Sequence, residues 1–239
     1  MIQKTSINSY MIALFTTTTT HHIFFENQIY KKYKNIITIC ETTSIKPKFK
    51  TKIFFEKKRN IFEKKLCFKN KKINFKSKKY KVKNINNNIV LKILKKNNVK
   101  YIIVFGTRKI DKKIINKFKN KIFNLHGGNP EEYRGLDSHY WSIYHNNFNL
   151  YACLHKLNYK LDDGNVIFLE KIKLKKKMKI HQLRIENTYC CIKIVLKLIK
   201  LLENKKKIMY YKQKKIGRYY SFMPSAIKKI VEKKFIKKI

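Results

Sequence analysis

Three side chains that could carry out chemistry stand at the ends of two short apolar segments. Asn124 and His126 belong to the run Asn-Leu-His-Gly-Gly, and Asp162 belongs to the later run Leu-Asp-Asp-Gly. An amide can donate a hydrogen bond to a developing oxyanion, an imidazole can accept and release a proton near neutrality, and a carboxylate can orient that imidazole. Together these groups predict acyl transfer to an amine, because an attacking amine must lose a proton.

The start of the chain predicts a β-α-β unit. An apolar strand over residues 10–15 precedes a Thr-rich run, a helix follows over residues 23–33, and residues 35–41 form a second apolar strand. Such a unit is typical of a parallel sheet with right-handed crossovers. With 239 residues and 44% apolar composition, the chain is long enough to bury a substantial core.

The centre of the chain continues this alternation of helices and strands. Asn86 or Asn87 can cap a helix that ends near Asn97. A strand, a Gly-Thr-Arg turn, a helix and a short strand follow it, at residues 100–105, 106–108, 112–118 and 122–125. Ligands bind at the carboxyl ends of the strands in an open parallel sheet, so we expect the Gly-Thr-Arg turn and the Asn-Leu-His run to border the site.

The last part of the chain predicts antiparallel strands and a long helix. Residues 150–157 and 166–173 form a candidate antiparallel pair, and residues 182–203 form an amphipathic helix. The predicted fold class is a Rossmann-like, three-layer α/β domain with a mostly parallel central sheet and antiparallel strands toward the C-terminal half. We assign this domain to residues 1–203 and expect residues 204–239 to form a C-terminal tail that docks on it.

Two regions give weaker local signals. Residues 42–83 combine Lys and Phe without clear periodicity, so we expect an insertion or irregular connection with helical pieces near residues 61–66. His21 and His22 follow the Thr-rich run and are expected at an exposed helix start, although either could contact a phosphate group of a ligand.

The formal charge of +44 would ordinarily indicate a nucleic acid or an anionic membrane as partner. Only five of the cations are arginines, the residue that gives bidentate phosphate contacts, and the lysines are spread over most of the chain with many Ile and Asn. Codons rich in A and T encode Lys, Ile and Asn, so a biased genome explains the excess. We therefore expect only nonspecific binding of nucleic acid, at low salt.

Cysteine spacing and apolar runs bear on the cellular compartment. The five cysteines contain no C-x-x-C pair, and their odd number leaves one unpaired. This favours free thiols over disulfides or zinc. No apolar run approaches the length of a membrane span, and the start of the chain lacks a signal-peptide core. We expect a cytoplasmic protein with no membrane partner and no metal.

The ordered set of motifs resembles one known enzyme family. The set comprises a strand followed by Gly-Thr-Arg, a helix, a strand with Asn-x-His, a strand holding Cys153-Leu154-His155, and finally Leu-Asp-x-Gly. This order is similar to that of the folate-dependent formyltransferases, which formylate glycinamide ribonucleotide, methionyl-tRNA or nucleotide-linked amino sugars. The resemblance covers roughly residues 10–203 and is most specific between residues 104 and 170.

The resemblance implies transfer of the formyl group of 10-formyltetrahydrofolate to a primary amine. Asn124 would donate its amide to the carbonyl oxygen, His126 would help move the proton from the amine to the leaving nitrogen, and Asp162 would orient His126. The residues implied to bind the folate are Gly106, Thr107, Arg108, Lys109, Ile110, His155 and Asp163. The implied partners are the folate and a small-molecule amine, and a homodimer is compatible with the resemblance.

Some positions depart from the family pattern. Many members carry a Leu-Pro pair after N-x-H-x, whereas this chain reads Gly127-Gly128-Asn129-Pro130 after His126, and the two glycines predict a wider loop after the histidine. Cys153 and Asp163 each replace a threonine of the family. The N-terminal loop is rich in Thr and not in Gly, which lowers the expectation of glycinamide ribonucleotide as the acceptor.

The acceptor is predicted from the stretch after this loop. The run from Arg134-Gly135 to Trp141 resembles the sugar-amine and methionyl-tRNA branches. The residues after Glu203 are too few for the C-terminal barrel domain that the methionyl-tRNA branch usually carries. We therefore expect a nucleotide-linked amino sugar as the acceptor, with methionyl-tRNA second and glycinamide ribonucleotide third.

Two other functions stay open at this stage. The same amide, imidazole and carboxylate could activate water, which would make the chain a formyltetrahydrofolate hydrolase. The basic composition could alternatively belong to an RNA-binding protein built on a fold that has lost its activity. That hypothesis predicts sequence-selective RNA binding that survives at physiological salt.

Overall fold

The computed structural model describes residues 10–43, 46–69 and 71–239. Within this part of the chain there are nine strands: β1 Ile12–Thr17, β2 Ile36–Glu41, β3 Lys78–Val82, β4 Tyr101–Phe105, β5 Ile122–His126, β6 Tyr133–Gly135, β7 Tyr151–Lys156, β8 Val166–Lys171 and β9 Arg218–Tyr220. The same residues contain seven α-helices: α1 Thr20–Lys32, α2 Phe54–Phe68, α3 Asn88–Lys96, α4 Lys112–Lys117, α5 Ser138–Tyr144, α6 Leu183–Glu203 and α7 Ser225–Lys238. Among the helices so described, none has the length and apolar composition needed to cross a lipid bilayer.

The central sheet has the strand order β3-β2-β1-β4-β5-β7-β8. The first five strands in this order are parallel, β7 is antiparallel to β5, and β8 is antiparallel to β7. The predicted α/β fold, mostly parallel with antiparallel strands toward the C-terminal half, is therefore confirmed. The strand order reverses between β1 and β4, the position at which open α/β sheets form a crevice.

Alternating side chains of the central strands enter two separate cores. Ile12 and Leu14 pack with α1 and α6 on one face of the sheet, whereas Ala13 packs with α3 and α4 on the other. Because both faces are covered, β1 is a continuous apolar run, as in other buried parallel strands. Because side chains alternate along a strand with a period of two residues, Asn124 and His126 of β5 lie on the same face of the sheet.

The region 42–83 is more regular than its sequence predicts. It contains the 15-residue helix α2 and the strand β3, which pairs with β2 at the edge of the sheet. β3 reads Lys-Lys-Tyr-Lys-Val, and its buried residue is Val82. α2 buries Phe55 and Glu63. An exposed edge strand and a largely exposed helix need few apolar residues, so neither leaves a clear hydrophobic period in the sequence.

The chain after Glu203 returns to earlier elements of the fold. β9 pairs in parallel with β6 in a separate two-stranded sheet. α7 packs on α5 through a third core that includes Phe55, Tyr140, Val231 and Phe235. The domain boundary at residue 203 stays a prediction, although β9 and α7 contact elements on the other side of it.

The ion pair between α2 and α6 provides a test of how α2 packs. Arg184 donates to fully buried Glu63, with Nε 2.7 Å from Oε1 and Nη2 2.5 Å from Oε2. Arg184→Met removes the cation and leaves a buried carboxylate, so we expect the free energy of unfolding in urea to fall by about 3 kcal/mol or more. Lys175→Met breaks an exposed pair with Glu186 and serves as the control, which should change stability little. Equal effects of the two substitutions would contradict this packing.

Candidate active site

The three side chains predicted to be catalytic meet at the carboxyl end of β5. Asn124 Nδ2 lies 3.2 Å from Asp162 Oδ1, and His126 Nδ1 lies 3.6 Å from Asp162 Oδ2. Asn124 and His126 belong to β5, whereas Asp162 belongs to the connection between β7 and β8. The structure therefore brings together the amide, the imidazole and the carboxylate from two distant parts of the chain.

The carboxylate of Asp162 is buried and surrounded by potential donors. The backbone N–H of Gly135 donates to Oδ2 at 2.8 Å, and His155 Nε2 lies 3.5 Å from Oδ1. Burial by itself would raise the pKa of Asp162, but His126, His155 and the Gly135 N–H together hold that pKa well below its usual range. Asp162 is therefore ionised at neutral pH and can orient His126.

The ring of His126 has a protein acceptor beside each nitrogen. Nε2 donates to the backbone carbonyl of Tyr133 at 2.7 Å, and Nδ1 faces the carboxylate of Asp162. Ser138 Oγ lies 3.5 Å from Nε2. A backbone carbonyl can only accept, so Nε2 carries a hydrogen, and Nδ1 is the nitrogen that can gain or lose a proton beside Asp162.

The side-chain amide of Asn124 has an acceptor for each of its two hydrogens. Asp162 Oδ1 and His155 Nε2 both lie 3.2 Å from Asn124 Nδ2. His155 Nδ1 donates to the carbonyl of Lys156 at 2.9 Å, so Nε2 of the neutral ring accepts from Asn124, and Nε2 of the protonated ring donates to Asp162. The surrounding acceptors orient the amide with its donor group toward the site.

A cavity of about 130 Å³ lies beside these residues, lined by both catalytic candidates of β5 and by Asp162. The residues predicted to bind folate that also line it are Gly106, Thr107, Arg108, Lys109, Ile110 and His155. Asp163 is not among the lining residues. Residues that the sequence did not assign to catalysis or folate binding complete the lining, among them Gly135, Leu136, Leu157, Asn158, Lys160 and Leu161.

The loop after β4 is held by a carboxylate that the sequence analysis missed. Glu41, at the end of β2, accepts from Arg108 Nε at 2.5 Å and from the backbone N–H of Arg108 at 3.1 Å. Glu41 also accepts from the backbone N–H of Ile85 at 3.0 Å and is buried. An acidic residue directly after an apolar strand was the available signal. This contact neutralises the Arg108 charge and fixes one wall of the cavity.

His21 and His22 are buried, so the expectation of an exposed helix start is wrong. Their exposed fractions are 8% and 6%. His22 Nδ1 lies 2.7 Å from Thr17 Oγ1 and 2.9 Å from Thr19 Oγ1, and these hydroxyls let the ring pack without losing a polar partner. Burial, with a smaller effect of Arg184, lowers the pKa of His22 to about 3, so the ring is neutral.

The ring of His22 packs directly against the loop after β4. Gly106 has φ +79°, and a Cβ there would lie 2.3 Å from His22 Cε1. Only glycine fits both the left-handed backbone and this close approach. His22, held by Thr17 and Thr19, thus supports the cavity wall at Gly106.

Comparison with known proteins identifies the family. The family model described as formyl transferase matches residues 24–187, which include every candidate site residue. The chain belongs to the formyl transferase family. The predicted family resemblance is confirmed. A methionyl-tRNA formyltransferase of Finegoldia magna is 32% identical over 102 residues, covering 42% of this chain and 33% of that protein, so the matched part is about a third of that relative.

Solved structures of other family members share the fold. Phosphoribosylglycinamide formyltransferase from Anaplasma phagocytophilum aligns with a TM-score of 0.61 at 12% identity, covering 89% of this chain and 98% of that chain. The formyltransferase PseJ from Anoxybacillus kamchatkensis aligns with a TM-score of 0.53 at 17% identity, covering 88% and 85%. The latter was crystallised with UDP-4,6-dideoxy-4-formamido-L-AltNAc and tetrahydrofolate. At these identities the likeness establishes the fold.

The stability of the protein should depend on pH through Asp162. A carboxyl group whose folded-state pKa is depressed contributes stability above its unfolded pKa of about 3.9, and that contribution is lost as the pH falls toward the folded pKa. We therefore expect the stability difference between wild type and Asp162→Asn to be largest above about pH 5 and to shrink below about pH 4. Denaturant unfolding at several pH values measures this difference.

Asp163→Asn is the matched control, because the Asp163 carboxylate lies outside the hydrogen-bond network of Asp162. Its stability difference from wild type should change much less over the same pH range. A difference for Asp162→Asn that stays constant down to about pH 3 would contradict the ionised, stabilised carboxylate.

Proposed function

We propose that the chain transfers the formyl group of 10-formyltetrahydrofolate to a primary amine, with Asn124, His126 and Asp162 as its catalytic residues. The observation that carries this proposal is the meeting of these three side chains beside a cavity at the carboxyl end of β5. Membership of the formyl transferase family supports the reaction class. The chemistry of the three groups agrees with it independently.

In the proposed reaction the amine nitrogen bonds to the formyl carbon while the bond from that carbon to the donor nitrogen breaks. The carbonyl oxygen becomes negative on the way, and the Asn124 amide donates a hydrogen bond to it. His126 takes the proton lost by the amine and delivers it to the leaving nitrogen. Asp162, ionised and beside Nδ1, stabilises the ring when it carries the extra proton.

The folate is proposed to enter between the loop after β4 and the Asp162 loop. The cavity of about 130 Å³ is close to the ~150 Å³ of an engineered cavity that accepts benzene, so it has the size for an aromatic ring and not for a whole folate. Only the ring end of the donor is therefore proposed to enter it. Residues 106–110 and His155 line this cavity. The remainder of the donor would extend toward solvent past Lys109 and Lys160.

For the acceptor we propose a nucleotide-linked amino sugar. Support comes from an aromatic group that begins at Tyr133, the residue whose carbonyl accepts from His126. The ring of Tyr220 lies 5.7 Å from that of Tyr133 and stacks on Trp141 at 5.0 Å. The three rings are partly buried, and an aromatic face that a nucleobase can reach stacks on it with about 1–3 kcal/mol per base.

Replacing the catalytic residues tests the mechanism. We expect His126→Ala and Asp162→Asn to lose nearly all turnover, and Asn124→Ala to lose on the order of 100-fold or more in kcat, because each removes a group used in the transition state. Folate affinity, measured by calorimetry, should stay nearly unchanged. His181→Asn, in the 3-10 turn before α6, is the control and should leave turnover intact. Normal turnover of His126→Ala or Asp162→Asn would reject the assignment.

Product analysis distinguishes transfer from hydrolysis. The donor is incubated with and without amine, and formate and formylated amine are both counted. Transfer predicts that consumption of the donor requires the amine. Formate released at full speed without any amine would instead identify a formyltetrahydrofolate hydrolase.

The acceptor is tested by competition between amines. Amino-sugar nucleotides, methionyl-tRNA and glycinamide ribonucleotide are supplied separately, and we expect the amino-sugar nucleotides to give the highest kcat/KM. Trp141→Ala should raise the KM for the acceptor about 10-fold through loss of stacking, whereas Trp141→Phe should retain most of the affinity. The 32% identity to a methionyl-tRNA formyltransferase favours methionyl-tRNA as the second candidate, and a preference for it would overturn the sugar assignment.

A further inference from the structure

The loop that carries Asp162 is held by side chains at four successive backbone carbonyls. Three side chains from different segments donate to this loop. The contacts are Arg134 Nε to Leu161 O at 2.8 Å, Gln213 Nε2 to Asp162 O at 3.0 Å, Asn158 Nδ2 to Asp163 O at 3.1 Å, and Gln213 Nε2 to Gly164 O at 2.9 Å. Gln213 is the one that comes from the C-terminal segment, and it spans the turn with both of its amide hydrogens.

The backbone of this turn needs such support. Asp162 has φ +49°, in the left-handed region that non-glycine residues seldom adopt. At Gly164 an added Cβ would lie 1.5 Å from the carbonyl oxygen of Lys156, so the turn is pressed against β7. The orientation of the Asp162 carboxylate therefore depends on a backbone conformation that contacts outside the turn must maintain.

Only one orientation of the Gln213 amide allows it to donate hydrogen bonds to the turn. With Nε2 toward the turn, it donates to two carbonyls, whereas the reversed amide would place its oxygen against both of them. Its Oε1 is buried and has no hydrogen-bond partner within residues 10–43, 46–69 and 71–239. Gln213 therefore acts on the Asp162 turn as a hydrogen-bond donor through both of its amide hydrogens.

The same C-terminal segment also fixes the other partners of the catalytic pair. Residues 213–220, here called the C-terminal strap, end in β9, which pairs with β6. Leu136 N donates to Tyr220 O at 2.9 Å just after β6. β6 in turn supplies the Tyr133 carbonyl that accepts from His126 and the Gly135 N–H that donates to Asp162. The strap thus contacts the backbone on both sides of the His126–Asp162 pair.

We infer that Gln213 is a positioning residue for the proposed formyl transfer, acting through the backbone of the Asp162 turn. This inference rests on the proposed function for its kinetic readout. Gln213 does not line the cavity. Its loss should therefore reduce kcat and leave the KM values for donor and acceptor nearly unchanged.

Two substitutions of Gln213 separate donation from packing. Gln213→Met keeps the length of the side chain and removes both donors, so kcat should fall on the order of 10-fold at every pH, since misplacement of a catalytic group slows the chemical step. Gln213→Glu keeps the shape, but its carboxylate repels the two carbonyls at neutral pH. Its place against two carbonyl oxygens disfavours the charged form and raises the pKa of the new carboxyl above the ~4.3 of a free glutamate. The protonated acid can donate one hydrogen, so its kcat relative to wild type should rise as the pH falls from about 8 to 5.5.

Matched substitutions at Gln182 are the control. Gln182 Oε1 accepts from Lys179 N, away from the site, so Gln182→Glu and Gln182→Met should keep the wild-type kcat at all pH values. Circular dichroism confirms that each variant is folded. Wild-type kcat in Gln213→Met, or a ratio for Gln213→Glu that does not change with pH, would overturn the inference while leaving formyl transfer intact.

Hydrogen–deuterium exchange supplies a readout that does not require activity. Peptides that span residues 160–165 should exchange faster in Gln213→Met than in Gln182→Met. If wild type transfers no formyl group to any amine, the proposed function fails, and faster exchange still supports the positioning role of Gln213. Equal exchange in the two variants would overturn that role whatever the reaction.

Discussion

The ionised carboxylate of Asp162 is the constraint on which the site depends. Removing such a charge from water costs several kcal/mol unless other groups replace the lost solvation. Here the replacement comes from the Gly135 N–H, the Asn124 amide and the imidazoles of His126 and His155. These four groups belong to three strands, so the carboxylate is well solvated only when β5, β6 and β7 are all in place. Assembly of the site and completion of the fold are thus coupled.

Much of the fold follows from apolar patterns that the sequence displays. β1, β2 and β4 are largely apolar runs because helices cover both of their faces. In β5 the Asn-x-His spacing puts two side chains on one face, since side chains alternate along a strand. β3 was not predicted, and of α2 only the helical piece near residues 61–66 was expected, since an edge strand rich in Lys and a mostly exposed helix need little apolar surface. β6 and β9, with three residues each, are too short to show a period.

The residues of the candidate site also include some that the sequence predicted and some that it did not. Asn124, His126 and Asp162 were found from motif order, and the structure brings them together, whereas Asp163 does not line the cavity. Gln213 and Glu41 act through backbone contacts across 51 and 67 positions of sequence separation. An acidic residue at the end of an apolar strand marks Glu41 itself, but no local pattern identifies the partners of either residue, because most of these partners are carbonyl and N–H groups that every residue has.

The hydrogen bonds around His126 and Asn124 have a consequence for the thermodynamics of substrate recognition. Both ring nitrogens of His126 and both amide hydrogens of Asn124 already face acceptors in the protein. A bound reactant must therefore compete with these acceptors for hydrogen bonds, since the two side chains have no unused donor. Ground-state affinity gained at the reacting centre is consequently small. An interaction that strengthens only as negative charge accumulates on the carbonyl oxygen can displace the internal partner at that moment, which lowers the barrier without trapping the Michaelis complex.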